Sequence, residues 1–467
     1  MSKIHAAKTQ VTLGDADPSV TPRAGLHLVA QVDRILEVTS ILDAHIGRTK
    51  KRRRGLSAGE MIMSLAETVL GGGDFLRDLD YQRADVAGAA LRAVPAIPAS
   101  TTVIGVTKRF SEKVFAGIEA AMGELVGRAF AALPDERRAE LVAVRPTVDL
   151  DPTDVETYGK KKAGMAWNHA GQWCGRPHPA VWAEAGTVLA AEYGSGRDDP
   201  RSQAPGLIAR AVSALPDGLR RAIVRADSGF FDAKVADAAL AAGADFAICA
   251  KRNAAAWRAC RDIDPAAWRP AVGMDAETAQ CDYVPAGWPA GTRCVVRRVK
   301  LERAGLRCDP RSRRRRTVDP AQLALLEAGQ IEAAHAYTFI LTNLDWDCVA
   351  VEAWFRQRAL VEERIKDSKW GMALRHLPSG HEAVNVTWMW AAFLALNLSV
   401  WTQSLAGLDT EGRAHGKRLR RELICVPARV IHHARQLVVR PSPGHRHGVF
   451  AQAWQTLAVM PSVIIRT

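Results

Sequence analysis

Phe355, Arg358, Glu362 and Lys369 follow one another at intervals of three, four and seven residues. At about 100° per residue these positions fall within roughly 60° of one another, so the spacing predicts one helix over 347–369 with an arginine, a glutamate and a lysine in line. A core face would be apolar. A solvated face is the simplest reading, because i, i+4 Arg–Glu pairs contribute only tenths of a kcal/mol to many helices. Two further acids shift the weighting. Asp151 closes the alternating run Val148, Asp149, Leu150, and Asp227 closes the apolar run that begins at Ala222. An acid at the C-terminal end of a strand lies at a sheet rim, where loops open a site. Singly, such an acid is more often a turn or cap residue. Together, two rim acids and a helix glutamate can hold hard divalent cations. Mg²⁺ prefers oxygen ligands, and a pair of ions suits in-line displacement at phosphorus.

The elements that must position these residues are partly legible. Strand patterns fall at 147–151, 180–182, 187–192 and 245–249, and helical ones at 204–215 and 232–242. Such alternation suggests a mixed α/β sheet. Residues 25–130 read as mostly helical, interrupted at Gly71, Gly72 and Gly73, with Ser100 as a candidate N-cap. The pattern weakens over 251–335, where Trp257, Trp268 and Trp288 lie among many Pro and Gly; strands at 294–301 and 337–342 suggest an insertion into the α/β unit. The uncharged stretch 386–408 is long enough to span a bilayer. Asn397, Gln403, Thr387 and Thr402 suit a buried helix better. The chain then divides into a flexible arm (1–24), a helical region (25–140), a first core part (141–250), the insertion (251–335), a second core part with the charged helix (336–410) and a basic C-terminal region (411–467).

The chain has 467 residues, and 63 Lys plus Arg against 50 Asp plus Glu give a formal charge of +13, which suits a polyanionic partner, nucleic acid before an anionic membrane. Hydrophobic residues at 48% exclude a wholly disordered chain. The cysteines form no CxxC pair, so a zinc ribbon or redox motif has no support, and the polar start is not a signal peptide; a cytosolic, reduced protein is the simplest expectation. The histidines lack metal-ligand spacing. Two basic runs offer phosphate contacts or solvated loops: Lys50, Lys51, Arg52, Arg53, Arg54, and Arg313, Arg314, Arg315, Arg316.

In combination these motifs resemble a DDE transposase of a bacterial insertion sequence. The Phe355-x2-Arg358-x3-Glu362-x6-Lys369 spacing is similar to the Tyr-Arg-Glu-Lys signature of one large branch, with Phe in place of Tyr. The segments around Gly71 to Asp80, Pro98 to Thr102, Asp149 to Thr153 with Tyr158–Gly159, and Ala226 to Phe230 resemble the insertion sequence 1380 family in particular. The likeness covers most of the chain. It implies an α/β fold, with an RNase H-like mixed sheet, a β-rich insertion before the glutamate helix and a helical N-terminal DNA-binding region. Asp151, Asp227 and Glu362 would be the metal-binding triad, with Asp149 competing for the first place. Arg358 and Lys369 would contact DNA phosphates, and Phe355, lacking a hydroxyl, would keep only packing or stacking. A tryptophan of the insertion would be available to stack on a flipped base, although core packing suits each of the three better. The cofactor implied is Mg²⁺, two ions, with Mn²⁺ as substitute.

The activity implied is cut-and-paste transposition. The enzyme binds the terminal inverted repeats, cleaves to free a 3′-OH, and directs that hydroxyl onto target DNA at phosphorus without a covalent enzyme intermediate. The partners implied are double-stranded DNA, as transposon ends and target, and a second copy in a homodimeric synaptic complex; no membrane is involved, and the setting is the bacterial cytoplasm at the nucleoid. The alternatives are a catalytically inactive DNA-binding relative (a repressor or a domesticated copy) and a metal-dependent nuclease without strand transfer.

Overall fold

The computed structural model describes residues 11–50, 54–304, 316–410, 412–444 and 446–463. The centre is an 11-stranded mixed sheet. Its longer strands are β1 (Thr147–Leu150), β2 (Trp173–Trp182), β3 (Thr187–Ser195), β4 (Ile223–Ala226), β5 (Asp245–Cys249), β6 (Glu277–Cys281), β7 (Arg293–Glu302) and β8 (Ala333–Thr342). In space they run β3-β2-β1-β4-β5-β8-β7-β6. The β1–β4 and β4–β5 pairs are parallel and the others antiparallel. The insertion strands therefore continue the central sheet on the far side of β5. The central strands β1 and β4 are short and buried along their whole length, as a parallel centre covered on both faces requires.

Seven helices matter for the site: α1 (Ala58–Leu70), α2 (Glu112–Ala132), α3 (Pro200–Ser213), α4 (Ala233–Ala241), α5 (Cys348–Arg356), α6 (Ala359–Trp370) and α7 (Glu382–Leu405). Alternation along β4 divides the two faces. Val224 and Ala226 join the large core that contains α3 and α4. Ile223 points the other way, into a smaller cluster with Ala247, Val295, Ile340, Val351 and Phe355 beneath α5. Helix α7 is long and apolar enough to cross a membrane, yet every residue from Val384 to Leu405 is buried. Its Asn397 accepts from the Val188 amide at 2.8 Å and donates to the Val188 carbonyl at 2.9 Å, beside a register shift in the β2–β3 ladder. Asn397 thus completes an interrupted sheet edge.

Two expectations need correction, and one region left open by the sequence takes shape. The predicted 347–369 helix is two helices. A continuous helix would send the Arg358 amide to the Trp354 carbonyl, but the Arg358 amide bonds Phe355 at 3.0 Å and the Gln357 amide bonds Trp354 at 3.1 Å. The Trp354 carbonyl also accepts from Arg225 Nη1 at 2.6 Å. A side chain entering the i→i−4 ladder is a recognised cause of a break. Ser100 is the first helical residue rather than the cap; its amide and hydroxyl bond the Asp80 carboxylate at 3.0 and 2.6 Å. The basic C-terminal stretch holds a hairpin of strands Ala428–His433 and Gln436–Pro441, to which Val20–Thr21 adds a third strand. A helix at His447–Val459 follows, and its Trp454 stacks on His27 at 4.0 Å.

Helix α1 starts on a capping box, Ser57 Oγ accepting from the Glu60 amide at 3.1 Å and Glu60 Oε2 from the Ser57 amide at 2.6 Å. It buries Glu67, which accepts from the Ala93 amide at 2.8 Å. Burial pushes the Glu67 carboxyl up to about 8 against an ordinary 4.5. The folded state keeps this proton where the unfolded chain has lost it. Stability therefore falls as pH rises from roughly 4.5 to 8, and stays lowered above that window. Glu67→Gln should remove this slope, so that denaturant midpoints of the two proteins diverge with rising pH in favour of the variant. Parallel pH profiles would show a carboxylate already ionised at neutrality.

Candidate functional site

Register builds the site. Strands β1 and β4 lie side by side with Leu150 opposite Ala226. The next residues of each, Asp151 and Asp227, therefore emerge together at one rim. One pleat earlier Asp149 lies opposite Arg225. That lower pair is closed: Arg225 Nε and Nη2 donate to the two Asp149 oxygens at 2.7 Å each, and Asp149 has no solvent exposure. Both carboxylate oxygens are occupied by the guanidinium fork. Asp149 is thus committed to the core, whereas Asp151 faces the rim.

The upper pair is open. Arg358, at the N-cap of α6, places Nη2 3.2 Å from Asp151 Oδ1 and Nη1 3.5 Å from Glu362 Oε1. Glu362 lies in the first turn of α6, its side chain 67% exposed. Asp227 Oδ1 accepts from the Gly229 amide at 2.8 Å, which fixes the turn leaving β4. Burial chiefly pushes the Asp151 carboxyl up to about 6; Asp227, Glu362 and Asp149 add to the rise, and Arg358 opposes it. Asp151 and Glu362 thus share one guanidinium, whose Nε is buried without a partner, and Asp227 lies on the same rim. An all-oxygen donor set with surplus negative charge suits a hard divalent cation. Among the described residues no three acidic, histidine or cysteine side chains stand close enough together to hold a metal. Arg358 stands between Asp151 and Glu362, so joint ligation needs it to release at least one of them.

The other residues singled out by sequence fall in different places. Phe355 is buried in the apolar cluster under α5, so its ring packs that helix on the sheet rather than facing a ligand. Lys369 Nζ donates to the Asp154 carbonyl at 2.7 Å, on the loop that follows Asp151. Lys50 donates to the Leu56 carbonyl, and Arg54 and Arg316 are exposed. Lys51, Arg52, Arg53, Arg313, Arg314 and Arg315 lie outside the described residues. Trp257 and Trp268 are buried with Tyr337 and Phe339, and Trp288 packs on Phe231 at 5.4 Å. Two features escaped sequence reasoning. Trp370 is half-exposed beside Arg375 and Lys417. Arg225 is a charged residue inside the buried strand β4, where a lone charge flanked by Val224 and Ala226 is itself the signal of a buried partner.

The chain matches the model of the family described as Transposase DDE domain group 1 over residues 5–311 and 315–461. This is the class of enzyme that the match defines, a DDE transposase. The chain belongs to that family. No curated protein matches. Among solved structures, the chain is similar to a piggyBac transposase synaptic complex with hairpin DNA, at 10% identity, TM-score 0.38, and 86% of this chain against 79% of that one. So slight a likeness carries no weight for fold or function.

Proposed function

We propose that the protein is the transposase of a bacterial insertion sequence, of the insertion sequence 1380 family, that binds its element's terminal inverted repeats and cuts and joins DNA. One observation carries the reading: Asp151 and Asp227 share a sheet rim, and Arg358 ties Asp151 to Glu362. The order β3-β2-β1-β4-β5, with only β1, β4 and β5 parallel, supports an RNase H-like core. Asp151, Asp227 and Glu362 would hold Mg²⁺, two ions, or Mn²⁺ in its place. When bound, the cations neutralise charge on the attacking and leaving oxygens of phosphoryl transfer.

The side chains of this protein do the rest. The carboxylates position and do not attack. Arg358, freed from Asp151 or Glu362, offers a planar fork to a phosphate near the cleaved end. Lys369 presents a point charge one loop away. Lys50 to Arg54 and the 313–316 run would add salt-sensitive backbone contacts. The helical N-terminal region would read the repeats. Two ends must be brought together, which favours a homodimer on DNA in the bacterial nucleoid, without a membrane.

Asp227→Ala should abolish cleavage of repeat-bearing DNA and leave binding within about threefold. Lys369→Ala should weaken binding and lower the slope of log affinity on log salt by roughly one unit. Near-normal cleavage by Asp227→Ala would remove that residue from the site. An unchanged salt slope would remove the Lys369 phosphate contact.

A further inference from the structure

Arg225 occupies a place that neither the acidic triad nor the Arg–Glu–Lys helix explains. It is 2% exposed, and each polar end of its guanidinium is spent on a different element. Nε and Nη2 hold Asp149 on β1, and Nη1 holds the Trp354 carbonyl at the end of α5. The guanidinium also lies 4.8 Å from the centre of the Trp354 ring, and Trp354 Nε1 donates to Thr147 Oγ1 at 3.2 Å, again on β1. Strands β1 and β4 and the end of α5 thus meet at one buried side chain.

The carbonyl that Arg225 takes is the one a continuing helix would offer to the Arg358 amide. That amide instead bonds Phe355, the chain turns at Gln357, and α6 begins afresh at Ala359. The turn delivers Arg358 onto Asp151 and sets Glu362 above the same rim. Arg225 stands in the strand register one pleat below Asp151 and Asp227. The same residue therefore registers the two rim acids against each other and fixes where the third one starts.

We propose that Arg225, with Asp149, is the positioning residue of the cleavage site: it breaks the 348–370 helix at Gln357 and thereby places Arg358 and Glu362 at the Asp151–Asp227 rim. The proposal rests on reading that rim as the cleavage site. A merely structural ion pair would tolerate replacement by apolar residues of similar volume, which is often neutral for stability. A positioning pair would not tolerate it.

Two full-length variants test this. Asp149→Leu combined with Arg225→Met removes the fork and fills its volume. Arg225→Lys keeps a charge beside Asp149 but has no planar fork to serve carboxylate and carbonyl together. Each is compared with wild type by melting, by hydrogen exchange followed peptide by peptide, by Mn²⁺ titration without DNA, and by cleavage. Where either variant melts cooperatively, the Trp354 carbonyl is free to take the Arg358 amide into a continuous helix, and amides across 356–366 should exchange at least tenfold more slowly while those of β2 and β3 stay unchanged. Mn²⁺ affinity and cleavage should each fall at least tenfold. Exchange over 356–366 within twofold of wild type would overturn the proposal. So would slowed exchange accompanied by wild-type Mn²⁺ affinity and cleavage. A wild type that cuts no DNA would instead sink the cleavage reading, while exchange still decides whether Arg225 makes the break.

Discussion

Asp151→Asn should destroy cleavage and, in metal-free buffer near pH 7.5, make the protein more stable by about 2 kcal/mol. The sign follows from the direction of its shift. Burial and the neighbouring acids push the folded carboxyl up to about 6, from an ordinary 3.8. Between those values the folded state holds a proton that the unfolded chain has released. Stability is thus lost as pH rises from 3.8 to about 6, and the deficit persists above. Asparagine never carries the charge and escapes the deficit. Urea titrations at pH 5 and 7.5 should show the advantage of the variant growing with pH, and Mg²⁺ should narrow it by stabilising only the wild type. A variant less stable than wild type at pH 7.5 would mean that Asp151 is ionised at no cost.

Arg358→Ala should have the opposite effect. Its side chain is 11% exposed and that of Asp151 is 20%, so truncation strands a largely buried carboxylate. Removing one partner of a buried pair costs about 3–5 kcal/mol, and the low end applies because Glu362 is well exposed and contributes little. The two residues touch, so their effects should not add. The double variant, Asp151→Asn with Arg358→Ala, should recover more than half of the loss. Additive effects would mean that the 3.2 Å contact carries no energy. Cleavage by Arg358→Ala should also fall, through loss of the phosphate fork.

Much of the candidate site could be read from the sequence, because its members end strands or repeat at helical intervals. Asp151, Asp227 and Glu362 are visible in that way. Between Asp149 and Asp151, which fall on one face of the strand, the resemblance favours Asp151, because the acid-x-Thr pattern of the family falls on Asp151 and Thr153. The fork of Arg225, the cross-strand neighbour, occupies both oxygens of Asp149 and leaves Asp151 at the rim, which supports that preference. The break at Gln357 was hidden. It depends on a side chain 129 residues away in sequence, and no local propensity records such a contact. The C-terminal hairpin escaped for a different reason. Its two-residue turn puts Ala434 and Arg435 at φ 47° and 62°, a conformation normally signalled by Asn-Gly. Tertiary pairing with Val20 and Thr21 holds a turn that its residues do not advertise.

The most direct test is cleavage of labelled DNA carrying the element's own terminal repeats. It should be run with Mg²⁺, with EDTA, and with the Glu362→Ala protein. Mg²⁺-dependent nicking at the repeat boundary, lost in EDTA and in the variant, is the predicted result. Specific binding of the repeats without any cleavage would contradict it and point to an inactive DNA-binding relative. Cleavage that survives in Glu362→Ala would show that the residue joined to Asp151 through Arg358 is not part of the cutting site.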